Sequence, residues 1–565
     1  PLATTTVVPL YVHYNSNTKY HLNFGQKPFK FPPPDGFQPL NGANVRPETV
    51  ITRPDQYVSA TIYTGNGASQ TVTGLKHKPD FLWFKNRTDS SASNHRLFDT
   101  VRGASKTLMS NATTEELEVA NSLTSFNSDG FTVGSGNWVN GSGDAIVAWS
   151  WKAGGSKNTF NVDDVGYANA SDVGMNVGGQ TSNAYNQSAV WSGMCSPAPS
   201  ANSYVQGFDG STTTTFAGGI SAGAYFTFTP TGGISFSNNI RVYNGAVSGA
   251  SYKYNGGSAT SFPTNSWTTV ASGGGTMTSF ATTRNTTDVH GWFAIEVDGK
   301  ILVDQGLTPP AVPATAATGC SVGTKQGFSI VSYTSAAGDG VSSVPHGLSQ
   351  TPDFVVIKNR DTAASSQGWP VWHSAVPDKS RYLDSTNAWD ATEFGHFFNS
   401  TAPNSSVVTV RANSSVSSGN RYRSYGNGDD FIMYCWYSVP GLQKFGSYTS
   451  TGTTSGPFVE LGFRPALLWI KNSARNGEEW VVYDNKRQSY NPNGATLYLN
   501  NAQNEYDGNS TTGGNSRYVD FLSNGFKIND VGNPINISGQ EEVHIYCAWA
   551  EAPSMNLYGA QSNAR

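Results

Sequence analysis

Short apolar runs rich in aromatic and β-branched residues, each opened by a proline, recur three times: PDFLWFK (Pro79–Lys85), PDFVVIK (Pro352–Lys358) and PALLWIK (Pro465–Lys471). Proline has no N–H to give to a ladder, so it opens a strand instead of sitting inside one. Apolar side chains at consecutive positions predict strands covered on both faces. SDG (Ser128–Gly130) and SNG (Ser523–Gly525) each precede an apolar run and predict tight turns feeding strands. Between the first and second copies, AYFTFTP alternates Phe226 and Phe228 with Thr227 and Thr229. Further on, WFAIEVDGKILVD places Phe293, Ile295 and Val297 on one face, a two-residue turn at Asp298-Gly299, and a return through Ile301 and Val303. One helix is predicted in the first copy, where Thr113-x-x-Glu116 has capping-box spacing ahead of ELEVANSL, and at most one helix is expected per repeat.

The copies are long. Tyr333 and Tyr448 stand 115 residues apart, whereas Tyr63 and Tyr333 stand 270 apart, 155 more. A module inserted between the first two copies accounts for the excess. At this size the units exceed solenoid repeats of about 20–50 residues, and each is expected to bury its own core. The expected division is 1–42, the end of a further β domain with its Pro-rich linker; 43–155, the first repeat; 156–306, the inserted β-sandwich; 307–319, a second Pro-rich linker; 320–442 and 443–553, the second and third repeats; and 554–565, a tail. The first residue is Pro1, which predicts a processed product or a piece of a longer polypeptide. The fold class expected is all-β, with tandem β-sandwich (jelly-roll or lectin-like) domains.

Composition agrees: 13% charged residues against a usual level of about 25%, with 61 Gly, 14 Trp, 26 Tyr and 29 Phe. A net charge of −4 gives no electrostatic footprint for nucleic acid. No window approaches the roughly 18 apolar residues of a membrane helix. Cys195, Cys320, Cys435 and Cys547 are too few for a disulfide scaffold and match no zinc spacing; Cys435 and Cys547, in the similar strands IMYCWY and HIYCAWA, read as two buried small hydrophobes.

Candidate chemistry is sparse. Gly219-Ile220-Ser221-Ala222-Gly223 has G-x-S-x-G form, but a strand and no helix follows it, so a glycine-rich hairpin is expected. Asp99-x-x-Arg102 recurs as Asp484-x-x-Arg487 and is absent from the second repeat's VWHSAV; it reads either as an ion pair stapling a turn or as a polar-ligand contact. Asp163-Asp164, Asp429-Asp430, Asp298 and Asp304 lack the spacing of a Ca²⁺ loop. Nine scattered histidines form no metal motif, and no phosphate-cradling loop is present. No catalytic residue, metal or cofactor is predicted. The ligand-contact candidates are aromatics in polar settings that could stack on sugar faces: Trp369, Trp389, Tyr422, Tyr425, Tyr490 and Tyr506.

GLKHKPDFLWFKNRTD, LFDTVRGASKTLMSN, SFNSDGFTVG and NGSGDAIVAWSWKAGG together resemble the repeated β-sandwich module of tailed-bacteriophage tail fibre and appendage proteins. The other copies are similar to the same family's tandem form. The insert, with FDGSTTTTF, IRVYNG and AIEVDGKILVD, resembles a second β-sandwich of these proteins, and YNSNTKYHLNFGQKPFKFPPPDGFQPLN resembles the end of a SPRY-like domain. The resemblance implies a virion protein: an elongated, homotrimeric fibre or similar appendage that contacts other tail proteins and a host surface glycan or protein receptor, without nucleic acid or membrane insertion. The alternative it leaves is a structural head or tail decoration or spacer without receptor binding and, further off, a polysaccharide depolymerase.

Overall fold

The predicted strands form, except that Pro465 does not open its strand but sits inside Phe463–Asn472, at an irregularity in the pairing with Val543–Pro553 that spares it a ladder bond. The structure, a computed structural model, describes residues 50–553 apart from 90–92, 176–188, 197–204, 210–222, 237–238, 245–248, 265, 285–291, 293, 298–299, 308–314, 337–339, 362–367, 413–422, 507–516, 532–534 and 538–540. The chain is all-β, and each repeat is a sandwich of a larger and a smaller sheet, antiparallel except for one parallel pair in the second repeat. In the first repeat the larger sheet runs Val58–Thr64, Ala145–Trp151, Phe81–Asn86, Arg96–Asp99, Gly103–Leu108, Leu117–Glu118, and the smaller one Gln70–Thr73, Gly130–Val133, Leu123–Asn127. The third repeat follows the same order through Gln443–Thr449, Val543–Pro553, Phe463–Asn472, Trp480–Asp484 and Leu497–Tyr498. Both predicted turns close hairpins, with Asn127 opposite Gly130 and Leu522 opposite Gly525.

Strand register makes the repeats equivalent residue by residue. Phe81 pairs with Trp151 and Asp99, Phe354 with Trp436 and His373, and Leu467 with Trp549 and Asp484. Alternation along each central strand then sorts its side chains between two cores. Leu82 and Phe84 enter the first repeat's own sandwich, as Val355 and Ile357 enter the second's and Leu468 and Ile470 the third's. Phe81 and Trp83, Phe354 and Val356, Leu467 and Trp469 all point into one core shared by the three repeats. Nine of the chain's 14 tryptophans lie there. At its centre the equivalent Trp151, Trp436 and Trp549 meet edge to face, with ring centroids 6.4, 5.4 and 6.4 Å apart. The repeats are therefore not separate cores strung along a rod. They close on one another as a pseudo-threefold ring, because each larger sheet is apolar on the face its own smaller sheet leaves open.

The three junctions use equivalent positions. The backbone N–H groups of Glu116, Glu505 and Trp389 donate to the carbonyls of Arg360, Arg87 and Ser473 respectively, linking second to first, first to third, and third to second repeat. At two junctions a partly buried carboxylate lies between two arginines: Glu116 between Arg102 and Arg360 (3.2 and 2.9 Å), and Glu505 between Arg487 and Arg87 (3.1 and 2.6 Å). At the remaining junction the equivalent positions hold Val376, Trp389 and Ser473, an apolar solution to the same space. Each aspartate of the D-x-x-R pairs also receives a donor from a neighbouring repeat, Asp99 from Tyr434 Oη (2.7 Å) and Asp484 from Trp149 Nε1 (3.0 Å). Their equivalent in the second repeat, His373, donates to the carbonyl of Tyr546 in the third.

Several expectations change. Residues 156–175 belong to the second repeat, not to the insert: Phe160–Val162 runs parallel to Ala317–Gly323 and extends that repeat's sheet to eight strands. The insert leaves this arm after Met175, whose carbonyl accepts from Ala317 N (2.8 Å), so its entry and exit are neighbours. It forms a separate sandwich in which Phe226, Phe228, Ile295 and Val297 are core, as the alternation predicts; Phe293, Asp298 and Gly299 lie outside the described residues. No helix follows Thr113. Glu116 is held in extended chain by the arginines it bridges, and Leu117–Glu118 pairs as an edge strand, so tertiary charge pairing overrides the capping-box spacing. The longer described helix is Ala391–Phe398 in the second repeat, capped by Asp390 Oδ1 accepting from Glu393 N. All four cysteines are free and buried. Register sets Cys435 and Cys547 one residue apart in equivalence, so Cys547 enters the shared core and Cys435 the second repeat's own. The segments 1–42 and 554–565 lie outside the described residues, as do the first Pro-rich linker and most of the second.

Candidate functional site

The aromatics chosen as ligand contacts do not form a surface. Trp369, Trp389 and Tyr425 are buried, which corrects that expectation. Their polar sequence settings belong to loops that a neighbouring repeat or sheet covers: Trp369 Nε1 donates to the carbonyl of Met109 in the first repeat (2.9 Å), and Trp389 stacks near Trp480 of the third. Tyr490 and Tyr506 remain accessible, at 71% and 38% exposure, without being joined to the others. Tyr422 lies outside the described residues, as does Ser221. The D-x-x-R residues form buried ion pairs of 2.5 Å that staple their turns and the repeat junctions. Asp163 caps Thr324 (2.8 Å to its N–H), Asp164 pairs with Lys152 (2.6 Å), Asp304 receives Ser192 N (3.0 Å) and Asp429 receives Asn359 Nδ2 (2.7 Å). Among the described residues no three His, Cys, Asp or Glu side chains converge as metal ligands.

A different place has the character of a binding site. In the first repeat an open cleft of about 560 Å³ is lined by Asp89, Asn94, Arg96, Asn137, Trp138 and Asp144, with Ser93 and Ser142. Trp138 is also a wall of an adjoining cleft of about 430 Å³, so its ring stands as a ridge between two depressions. The chain builds this locally. Asn137–Asn140 makes a single helical turn that buries Val139 and Asn140 and leaves Trp138 outward, 40% exposed. Asn140 fastens the turn, its amide donating to the carbonyl of Gly134 (2.7 Å) while its Oδ1 accepts from Asn66 N (3.0 Å). Gly141 is required by close approach, since a Cβ there would stand 2.1 Å from Asp144 Oδ2.

The opposite wall hangs from the end of the central strand. Asn86 Oδ1 accepts from the N–H groups of Thr88 and Asp89 (3.1 and 3.0 Å), turning the chain, and Asn86 Nδ2 donates to Asp144 Oδ2 (2.7 Å). Arg96 lies against the Trp138 ring, its guanidinium carbon 4.0 Å from the centroid. Burial lowers its pKa to about 10. Its equivalent positions carry Pro370 and Val481, so this arrangement belongs to the first repeat alone. An exposed indole flanked by carboxylates and amides suits a polyhydroxylated ligand, whose C–H face lies on the ring while its hydroxyls find acceptors and donors around it. Sequence reasoning passed over Trp138 because NWVNGSG reads as a solvated loop; its signal is a lone large aromatic among Gly, Asn and Ser, one residue before a buried Val.

A family model described as a domain of unknown function (DUF7483) matches residues 53–201 and 311–553, more than two thirds of the chain. The chain belongs to this family. The matched residues run through all three repeats and leave out most of the insert, in keeping with a body whose repeats share a core and which carries a separate sandwich on one arm. No curated protein and no solved structure matches the chain.

Proposed function

We propose that the chain is a component of a tailed-phage virion, a tail fibre or similar appendage, which binds glycan on the host surface during adsorption. The observation that carries the binding role is the open polar cleft ridged by Trp138; the resemblance of the repeats to phage appendage modules supplies the context. The reading is of a binder and not a catalyst. The ring of three repeats fits this role as a platform, because a recognition surface on sheets fixed by a common core loses little conformational entropy on binding. In the homotrimer proposed for the virion, each chain already covers its own tryptophan-rich core, so contacts between chains fall on other surfaces. Three chains would present three clefts and convert weak sugar contacts into avidity.

Competition tests the reading. Purified chain is incubated with host cells at saturating concentration, and the fraction of phage that still adsorbs is counted. Blocked adsorption by the native chain and none by Trp138→Ala is the expected result. A folded chain that neither binds cells nor slows adsorption defeats the adhesive role and leaves a spacer or decoration.

A further inference from the structure

Arg96 is 4% exposed and lines the cleft, yet its Nε and Nη1 have no hydrogen-bond partner among the described residues. Leaving a charged donor idle in a buried place is costly. The other buried arginines at repeat ends are spent: Arg102 and Arg487 each reach an aspartate, a glutamate and a carbonyl. Nothing in the packing demands a cation here, since Val481 fills the equivalent place in the third repeat. Burial is the cause of the lowered pKa of Arg96. The cleft wall thus holds a guanidinium that lies against the Trp138 ring with two nitrogens lacking hydrogen-bond partners, and its lining includes the carboxylates of Asp89 and Asp144.

We propose that this cleft binds a carboxylated saccharide, a hexuronic or nonulosonic acid unit of a surface polysaccharide, with the sugar carboxylate received by Arg96 and a pyranose face against Trp138. This rests on the glycan-binding reading above and specifies its ligand. A carboxylate monoanion can take a charge-assisted N–H bond from one of the two unpartnered guanidinium nitrogens. A phosphate carries more charge into a cleft that already has two aspartates on its wall, and is disfavoured by like-charge repulsion.

The test is binding of the full chain to oligosaccharides containing galacturonic, glucuronic or sialic acid, each beside its carboxyl-reduced neutral counterpart, with phosphorylated sugars as a third arm. Loss of a charge-assisted pair predicts that reduction weakens binding about tenfold or more. Arg96→Gln should bring the acid-to-neutral ratio near one while leaving residual binding, and Trp138→Ala should remove both. Matching melting curves identify variants that have kept the fold, and if Arg96→Gln unfolds, the ratio measured with the native chain decides alone. Equal affinity for acidic and reduced sugars, or preference for the phosphorylated arm, overturns the acidic-sugar inference and leaves glycan binding standing. Binding of none of the sugars by folded chain overturns both.

Discussion

His95, His346 and His373 are each held in one neutral tautomer. Nδ1 accepts an N–H from Trp83 Nε1, Leu348 or Ala375, and Nε2 donates to the carbonyl of Tyr498, Asn404 or Tyr546. Protonation at Nδ1 would turn an acceptor into a second donor facing a donor. Burial depresses His77, His346 and His373 from 6.5 to about 4 and pushes His95 well down too. Between pH 6.5 and 4 the unfolded chain takes up protons the folded chain refuses, so stability falls as pH falls through that window. Asp80, raised to about 6 by burial, works in the opposite sense from pH 6 down to 3.8, as do Asp361, Asp384 and Glu478, also raised by burial, whereas Asp55, Glu116 and Asp484, lowered by their arginine partners, act with the histidines. Above neutrality the buried Lys85, Lys358 and Lys471, lowered by burial to about 8, 7 and 8, make stability rise as pH climbs toward their ordinary 10.5. Melting temperature should thus drop from pH 6.5 to 4.5 and rise from pH 7 to 9; a flat profile, or one highest at pH 5, would contradict these assignments. His95 and His373 both bond into the third repeat, so acid should loosen its junctions first. None of this was legible in sequence, where nine histidines are scattered singly and only the fold supplies their carbonyl partners.

At the scale of the element, the chain solves one junction problem twice over. Two junctions carry an Arg–Glu–Arg cluster and the third carries Val376, Trp389 and Ser473. Breaking a buried ion pair on one side costs about 3–5 kcal/mol, whereas replacing the whole cluster by well-packed apolar groups is often neutral or better. Glu116→Ala should therefore destabilise by about 3 kcal/mol, at the low end because Arg102 keeps Asp99. Transplanting the third junction's residues into the first (Asp99→His, Arg102→Val, Glu116→Trp, Arg360→Ser and Tyr434→Cys) should restore most of that loss in denaturant unfolding. A transplant less stable than Glu116→Ala would show that the junctions are not interchangeable. The sequence displays the missing D-x-x-R of the second repeat as a departure. Its compensation is invisible there, because Trp389 and Ser473 stand in different repeats and meet only once the ring closes. The strands themselves were legible for the opposite reason: PDFLWFK and its relatives are apolar at every position, and burial on both faces follows from that alone. What covers the second face is not written in the pattern, which is why the repeats were expected to stand apart.

For the whole molecule, the division between body and insert and the unity of the three repeats are separately testable. Met175 and Ala317 are already hydrogen-bonded across the insertion point, so replacing residues 176–314 by a short Gly/Ser link should leave the body's unfolding transition in place while removing that of the insert. Loss of the body's transition would mean that the insert supports the ring. The stronger claim is that no repeat is complete alone. The third repeat, 443–553, gives Trp469, Trp480 and Trp549 to the shared core. At about 150–250 Å² each and roughly 25 cal/mol per Å², exposing them forfeits on the order of 10 kcal/mol, as much as a domain's whole stability. The most direct measurement is to express 443–553 alone and follow it by near-ultraviolet circular dichroism and thermal unfolding beside the full chain. The shared core predicts no cooperative transition and no fixed tryptophan environment in the fragment. A fragment that melts cooperatively with native-like tryptophan signals would contradict it.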